Sequence, residues 1–120
     1  MQSDFFVDTD TTERTLTLTL TGELDLLSSP VLERALRGLP ASGVELILVD
    51  LRGLEFMDST GLHLLVQAQQ QAHDAGRRFA LIHGGDQVQR LLELSGVIDD
   101  LTIVGSCEEL FEVDQAPGAP

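Results

Sequence analysis

The feature that most constrains the fold is an apolar run in the middle of the chain, VELILVDL at residues 44–51. Its apolar residues do not alternate with polar ones, which predicts a strand covered on both faces, as in the centre of a parallel sheet. Soon afterwards come Asp58, Ser59, Thr60 and Gly61, followed by a second apolar stretch. Three small polar residues before a helical pattern predict a strand-to-helix junction, where function gathers in α/β proteins.

The segments around this run predict the rest of the fold. Residues 14–22, RTLTLTLTG, alternate strictly between leucine and threonine, which is typical of a half-buried strand. Residues 5–7 are predicted to pair with it antiparallel, with residues 8–13 as the turn. Helical and strand patterns then succeed one another in the order β-β-α-β-α-β-α-β-α. The sequence therefore predicts a single α/β domain with a four- to five-stranded, mixed, mostly parallel sheet and helices packed against it.

Three predicted helices have recognisable starts. A serine can cap the first helix before a proline in its first turn, and capping boxes can open two later helices; the residues are Ser29 with Pro30, Asp86 with Gln89, and Ser106 with Glu109. The last six residues, QAPGAP at 115–120, offer nothing to bury and are predicted to be a disordered tail. The predicted domain therefore comprises residues 1–114.

The charge of the chain excludes several classes of function. Twenty acidic residues against seven basic ones give a formal net charge of −13, which argues against binding to nucleic acid or to anionic lipid. All seven basic residues are arginine, so lysine-dependent phosphate loops and Schiff bases are excluded. The single cysteine, Cys107, fits a reducing compartment, and no apolar run is long enough to span a membrane. We expect a cytoplasmic protein without membrane contact.

The residues at the junction support two interpretations. Helix capping explains one or two of the polar residues, but not all three, and it does not explain Gly61 inside a helix, where glycine costs about 1 kcal/mol relative to alanine. From the spacing alone, a helix cap and a functional site are equally supported. A catalytic site is not favoured, because Ser59 has no adjacent base, and His63, His73 and His83 lack ligand-like spacing. We therefore expect no catalytic residue, metal or cofactor.

The serine could instead be the substrate of another enzyme. A hydroxyl at a helix N-terminus lies beside free backbone N–H groups, which is a favourable place to hold a phosphate. Phosphorylation would add nearly two negative charges to a patch of small residues. Such a change on a docking surface can abolish binding without unfolding the domain.

Three segments resemble the anti-sigma factor antagonist family of the STAS fold. The first is ILVDLRGLEFMDSTGLHLL at residues 47–65, which contains the family's Met-Asp-Ser-(Ser/Thr)-Gly-Leu motif. The others are LTGELDLLSSPVLERAL at residues 20–36 and VQRLLELSGVIDDL at residues 88–101. Along the chain they occur in the family order, and the match as a whole covers nearly the whole chain, so the resemblance implies the STAS fold for residues 1–114.

The resemblance also implies a mechanism. In this family the unphosphorylated antagonist binds an anti-sigma factor that is a GHKL-type serine kinase, and so frees a sigma factor; phosphorylation ends binding, and a PP2C-type phosphatase resets the switch. By position, Ser59 would be the phosphoacceptor, with Thr60 a less favoured one. The implied partner-binding residues are Asp25, Asp58, Ser59, Thr60, Gly61, Leu62 and His63, the last standing where the family usually has glycine. One alternative is a non-catalytic STAS adaptor in a signalling scaffold or a lipid-transport assembly. A second is a small hydrolase using Asp58 or Ser59, which would show turnover without any kinase.

Overall fold

The computed structural model describes residues 4–40 and 42–105, which form one five-stranded sheet with three α-helices. The elements in chain order are β1 (Phe5–Thr12), β2 (Thr15–Leu24), α1 (Ser29–Arg37), β3 (Leu46–Met57), α2 (Ser59–Asp74), β4 (Arg78–Ile82), α3 (Asp86–Leu94), a short 3₁₀ turn (Ile98–Asp100) and β5 (Ile103–Val104). The predicted order of elements is confirmed as far as β5. The predicted last helix from Ser106 and the tail lie outside the described residues.

The strands lie side by side in their order along the chain, β1-β2-β3-β4-β5. Only β1 is antiparallel to its neighbour, and the other three pairings are parallel. This confirms the predicted mixed, mostly parallel sheet. The predicted turn at residues 8–13 was wrong, because pairing with β2 continues to Thr12 and leaves only Glu13 and Arg14 to reverse the chain.

The three helices lie on one face of the sheet. Each helix connects one strand to the parallel strand beside it, and the three connections all move across the sheet in the same direction, from β2 towards β5. Right-handed crossovers therefore place every helix on the same side of the sheet. The packing agrees, since one core cluster joins Leu32 of α1, Leu65 of α2 and Leu92 of α3 to the strands. A second, smaller cluster occupies the other face and consists of Leu46, Leu48, Ala80, Ile82 and Val104. The predicted burial of the central strand on both faces is confirmed.

Strand β3 is longer than its apolar run suggests. It continues through Arg52 and Gly53 to Met57, so the segment leading to the serine is a strand rather than a loop. Pairing with β2 carries it there, with register shifts between Thr19 and Thr21 and again after Gly22. The partner β4 stops earlier, at the pair between Asp50 and Ile82. Strands β2 and β3 therefore extend together beyond the rest of the sheet.

Two predicted helix starts needed correction. Helix α1 begins at Ser29, so Ser28 and not Ser29 occupies the N-cap position. The Ser28 hydroxyl donates to the Glu23 carbonyl near the end of β2 and makes no capping hydrogen bond. Helix α3 has Gly85 at its N-cap position and no side-chain capping hydrogen bond, so the predicted box of Asp86 and Gln89 does not form. The Gln89 amide instead donates to Glu93 one turn further along, at 3.2 Å. No helix among residues 4–40 and 42–105 is long and apolar enough to cross a membrane.

Candidate functional site

The candidate site lies where β2 and β3 end together. Leu24 and Met57, the last residues of the two strands, are paired in the sheet, so Asp25 and Asp58 begin neighbouring loops. The Asp58 amide donates to the carbonyl of Leu24 at 3.1 Å, which extends the pairing by one hydrogen bond. The structure therefore brings together the two acidic motifs that the sequence places 33 residues apart.

Asp58 is the N-cap of α2. Its backbone is extended, and its Oδ1 accepts hydrogen bonds from the amides of Thr60 at 2.9 Å and Gly61 at 3.2 Å. These amides are among the four that the first turn of a helix leaves without an intrahelical acceptor. The cap interpretation thus accounts for Asp58 and leaves the two hydroxyls unexplained. Asp58 is a capping residue whose removal would loosen the turn that carries Ser59.

The two hydroxyl residues differ in accessibility. Ser59 is the first residue of α2 and is exposed, whereas Thr60 is half-buried. Both precede the helix interior, so their side chains lie beside the first-turn backbone amides. An enzyme approaching from solvent would therefore reach Ser59 before Thr60. The requirement that the serine be accessible is met.

Gly61 allows α2 to approach the strand ends closely. A Cβ at this position would lie 2.6 Å from Leu24 Cγ, 2.7 Å from Leu24 Cδ2 and 3.0 Å from Met57 Cγ. Leu24 and Met57 are both fully buried, so neither side chain has room to move aside. This close contact explains why a glycine stands inside the helix. Leu62, also predicted to contact a partner, is 5% exposed and belongs to the core instead.

An open groove of about 420 Å³ runs between α1 and α2 beside the serine. It is lined by Ser29, Glu33, Ser59, Thr60, His63, Leu64 and Gln67. His63 is exposed and lies one helical turn from Ser59, so it could contact whatever approaches the hydroxyl. Among the described residues no hydrogen bond joins its ring to Ser59, and no group of three His, Cys, Asp or Glu side chains could hold a metal ion.

The loop after β2 projects two leucines into solvent. Asp25 Oδ1 accepts from the amides of Leu27 at 3.1 Å and Ser28 at 3.0 Å, which folds residues 25–28 into a tight turn. Leu26 and Leu27, at the outside of this turn, are 69% and 83% exposed. Asp25 therefore shapes the loop through its Oδ1 atom. Sequence reasoning missed the two leucines, although their position outside any periodic pattern was a usable signal.

The loop and the groove form one continuous surface. Ser29, which lines the groove, directly follows the turn that exposes the leucines, and its hydroxyl donates to the Leu26 carbonyl at 3.1 Å. An exposed apolar pair beside a groove of mixed polar and apolar lining is typical of a protein-docking surface. We call this area, made of Leu26, Leu27 and the groove residues, the candidate docking surface, or docking surface for short. It contains Ser59 within it.

The fold and the site together define a small α/β domain with an accessible serine on a candidate docking surface. A family model described as "Mlab, STAS domain" matches residues 7–105. The chain belongs to the STAS domain family. Among curated proteins it is similar to the anti-sigma-B factor antagonist of Staphylococcus aureus strain NCTC 8325, with 30% identity over 93 residues that cover 78% of this chain and 86% of that protein.

Solved structures give the same fold. An anti-sigma factor antagonist from Mycobacterium paratuberculosis has a TM-score of 0.83 at 19% identity, covering 92% of this chain and 93% of that one. SpoIIAA in its unphosphorylated form has a TM-score of 0.71 at 21% identity, covering 92% and 96%. The phosphorylated form of SpoIIAA from Bacillus has a TM-score of 0.64 at 20% identity, covering 93% and 100%. The resemblance drawn from the three sequence segments is confirmed.

Proposed function

We propose that this chain is an anti-sigma factor antagonist whose binding is switched off by phosphorylation of Ser59. In its unphosphorylated form it binds a cognate anti-sigma factor of the GHKL serine kinase type and thereby frees a sigma factor. A PP2C-type phosphatase restores the binding form. The names of the curated relatives support the general role, and the existence of a phosphorylated form of SpoIIAA supports the switch. The setting proposed for this exchange is the cytoplasm.

The observation that carries the proposal is the exposed Ser59 hydroxyl at the start of α2, within the docking surface. In the proposed step the Ser59 oxygen forms a bond to the γ-phosphorus of ATP, and the bond from that phosphorus to the β,γ-bridging oxygen breaks. ADP leaves, and the hydroxyl proton passes to a base of the kinase. ATP and Mg²⁺ belong to the partner, so this chain acts as substrate rather than enzyme.

A phosphate on Ser59 is compatible with the fold but not with an intimate interface. The helix N-terminus favours negative charge, so the modified domain should stay folded. Against a partner, however, a new dianion of nearly two charges must lose its water without a matching cation. A loss of about 3 kcal/mol at the interface would lower affinity by more than about a hundredfold. Phosphorylation can therefore switch binding without switching folding.

The decisive experiment combines the purified chain with the serine kinase that co-purifies with it and Mg-ATP. Intact-mass spectrometry should detect a gain of one phosphate, which Ser59→Ala abolishes. Ser29→Ala is the matched control, because its hydroxyl lines the same groove, and it should still be phosphorylated. Thr60→Ala should also be phosphorylated. Phosphate incorporation into Ser59→Ala at the wild-type level would overturn the assignment.

A binding measurement separates the proposal from the adaptor alternative. Ser59→Asp should weaken binding to the kinase, whereas the uncharged Ser59→Asn should bind like the wild type. If both variants bind the co-purifying partner equally well, the serine is structural and the chain is a non-catalytic adaptor. The chain would then serve as an adaptor in a signalling scaffold or a lipid-transport assembly.

A further inference from the structure

Gln87, in the first turn of α3, holds the strand end that precedes the serine. Its side-chain Oε1 accepts from the Met57 amide at 3.0 Å, and its Nε2 donates to the Met57 carbonyl at 3.0 Å. The two residues are 30 positions apart in the chain. A primary amide has one acceptor and one donor side by side, so it can bond both polar groups of one peptide residue as a neighbouring strand would.

We call this pair of hydrogen bonds between Gln87 and Met57 the clamp. It lies where the sheet provides no neighbouring strand for Met57 on that side. Pairing between β3 and β4 ends at Asp50 and Ile82, seven residues before Met57. In the described residues, the Gln87 amide thus substitutes for the missing neighbouring strand. Without it, the Met57 amide and carbonyl would depend on water for their hydrogen bonds. The end of β3 is consequently held by α3 on one side and by β2 on the other.

Met57 in turn fixes the start of α2. Its fully buried side chain lies under Gly61, where an added Cβ would come within 3.0 Å of Met57 Cγ. The next residue, Asp58, caps the helix and precedes Ser59. A displacement of Met57 would therefore move the cap and the serine with it. The contacts form a continuous path from Gln87 through Met57 to the first turn of α2.

We propose that Gln87 is a positioning residue for the Ser59 hydroxyl. This inference rests on the proposed function for its kinetic consequence, but the clamp itself does not depend on it. Gln87 lies in α3, outside the groove that surrounds Ser59, so it acts through Met57 rather than by touching a partner there. By holding Met57, it keeps the serine oxygen in a narrow range of positions. Alignment of the acceptor with ATP governs turnover more than docking does.

The test uses Gln87→Met, which keeps the length of the side chain and removes both hydrogen bonds. Gln87→Glu is a second variant, which keeps an acceptor for the Met57 amide but sets a carboxylate oxygen against the Met57 carbonyl. The matched control is Gln89→Met on the same helix, where the side-chain hydrogen bond goes to Glu93 and not to β3. All assays are run well below the midpoint of thermal unfolding of the least stable variant.

Two readouts decide the matter. Hydrogen exchange at the Met57 amide should be about tenfold faster in Gln87→Met than in the wild type, as expected for a lost hydrogen bond, and unchanged in Gln89→Met. In Gln87→Glu, which keeps the acceptor for this amide, the increase should be smaller. For phosphorylation of Ser59, the kcat of the Gln87 variants should be several-fold below that of the wild type. Their KM should be nearly the same as that of the wild type, because the docking surface is intact. A global loss of stability would instead raise exchange at many amides together.

The possible failures are distinguishable. If the wild type itself accepts no phosphate at Ser59, the proposed function is wrong, and exchange at Met57 still tests the clamp. If the wild type is phosphorylated and the Gln87 variants match it in kcat, Gln87 is not a positioning residue. If Met57 exchanges at the wild-type rate in both variants, the clamp does not hold the strand end.

Discussion

At the scale of single residues, Gly61 is the position where α2 lies directly against Leu24 and Met57. Those two side chains are fully buried, so an added methyl group has no space to occupy. Alanine would favour the helix by about 1 kcal/mol, but overpacking of a dense core costs about 1–3 kcal/mol. Because the contacts at 2.6 and 2.7 Å are severe, we expect Gly61→Ala to lower the free energy of unfolding by about 1–2 kcal/mol.

Urea denaturation of Gly61→Ala and of the wild type measures this difference. Gly38→Ala is the control, since a Cβ there would meet its nearest atoms at 3.5 and 3.7 Å, which is ordinary contact. Gly38→Ala should leave the free energy of unfolding within about 0.5 kcal/mol of the wild type. Equal stability of all three proteins would mean that α2 can shift away from the strand ends.

A second residue-scale prediction concerns Asp50, which is 9% exposed on the sheet face opposite the helices. Two hydrogen bonds from the Arg52 guanidinium, at 3.0 and 2.8 Å, hold the pKa of Asp50 below its usual 3.8, although burial acts in the opposite direction. A carboxyl whose pKa is lowered by folding stabilises the protein above its unfolded pKa. That stabilisation is lost as the pH falls through the folded pKa.

We therefore expect the stabilisation from Asp50 to be present at neutral pH and to fade below about pH 4. Asp50→Asn keeps an oxygen that can accept from the Arg52 amide, and it removes the charge. The difference in Tm between wild type and variant should be largest at neutral pH and should shrink as the medium is acidified. Other carboxyls titrate in both proteins and cancel in this difference. A difference independent of pH would contradict the prediction.

At the scale of secondary structure, the sequence predicts a strand or helix correctly where the spacing of its apolar residues matches the face that is buried in the fold. The alternation at residues 14–22 gives β2, and the cap at Asp58 marks the start of α2. The end of β3 is not predictable in this way. Arg52 and Gly53 suggest a turn, and only irregular pairing with β2 keeps them in the strand.

The residues of the candidate site likewise differ in whether a local sequence signal reveals them. Ser59, Asp58 and Gly61 can be found from the sequence, because a cap, a helix start and a misplaced glycine are local signals. Gln87 cannot, since its link to Met57 spans 30 residues and depends on how α3 packs. Leu62 was predicted to contact a partner and is buried instead, because the turn of the helix points it at the core.

The loop between β2 and α1 provides the element-scale prediction. Leu26 and Leu27 are highly exposed, so replacing both with serine removes little apolar burial and should leave Tm unchanged. If the docking surface is correctly assigned, the double variant should bind the proposed anti-sigma factor partner about tenfold or more weakly, as truncation of apolar anchors typically does. Thermal unfolding and isothermal titration measure the two quantities separately.

Leu94→Ser is the matched control for this variant, because Leu94 is 80% exposed but lies on α3, away from the serine. It should change neither Tm nor affinity. If Leu94→Ser weakens binding as much as the loop variant does, the partner occupies α3 instead. Unchanged affinity of the loop variant would remove the two leucines from the interface.

At the scale of the whole molecule, the net charge of −13 and a negative charge introduced at Ser59 have opposite effects on binding to a basic partner. A strongly acidic protein is drawn towards a partner with a basic patch, which raises the association rate. One further negative charge in Ser59→Asp strengthens that long-range attraction slightly. Within the interface, the same charge must be stripped of water without a matching cation, which favours dissociation.

We therefore expect Ser59→Asp to weaken the complex through a faster dissociation rate constant, with the association rate constant unchanged or slightly higher. Surface-based kinetics at low and at physiological ionic strength measure both rate constants. Salt should slow association of wild type and variant alike, because both carry a large negative net charge that differs by only one unit. It should leave the ratio of their dissociation rates nearly constant. The uncharged Ser59→Asn should match the wild type in both. A loss of affinity carried by slower association would mean that the switch repels the partner at a distance.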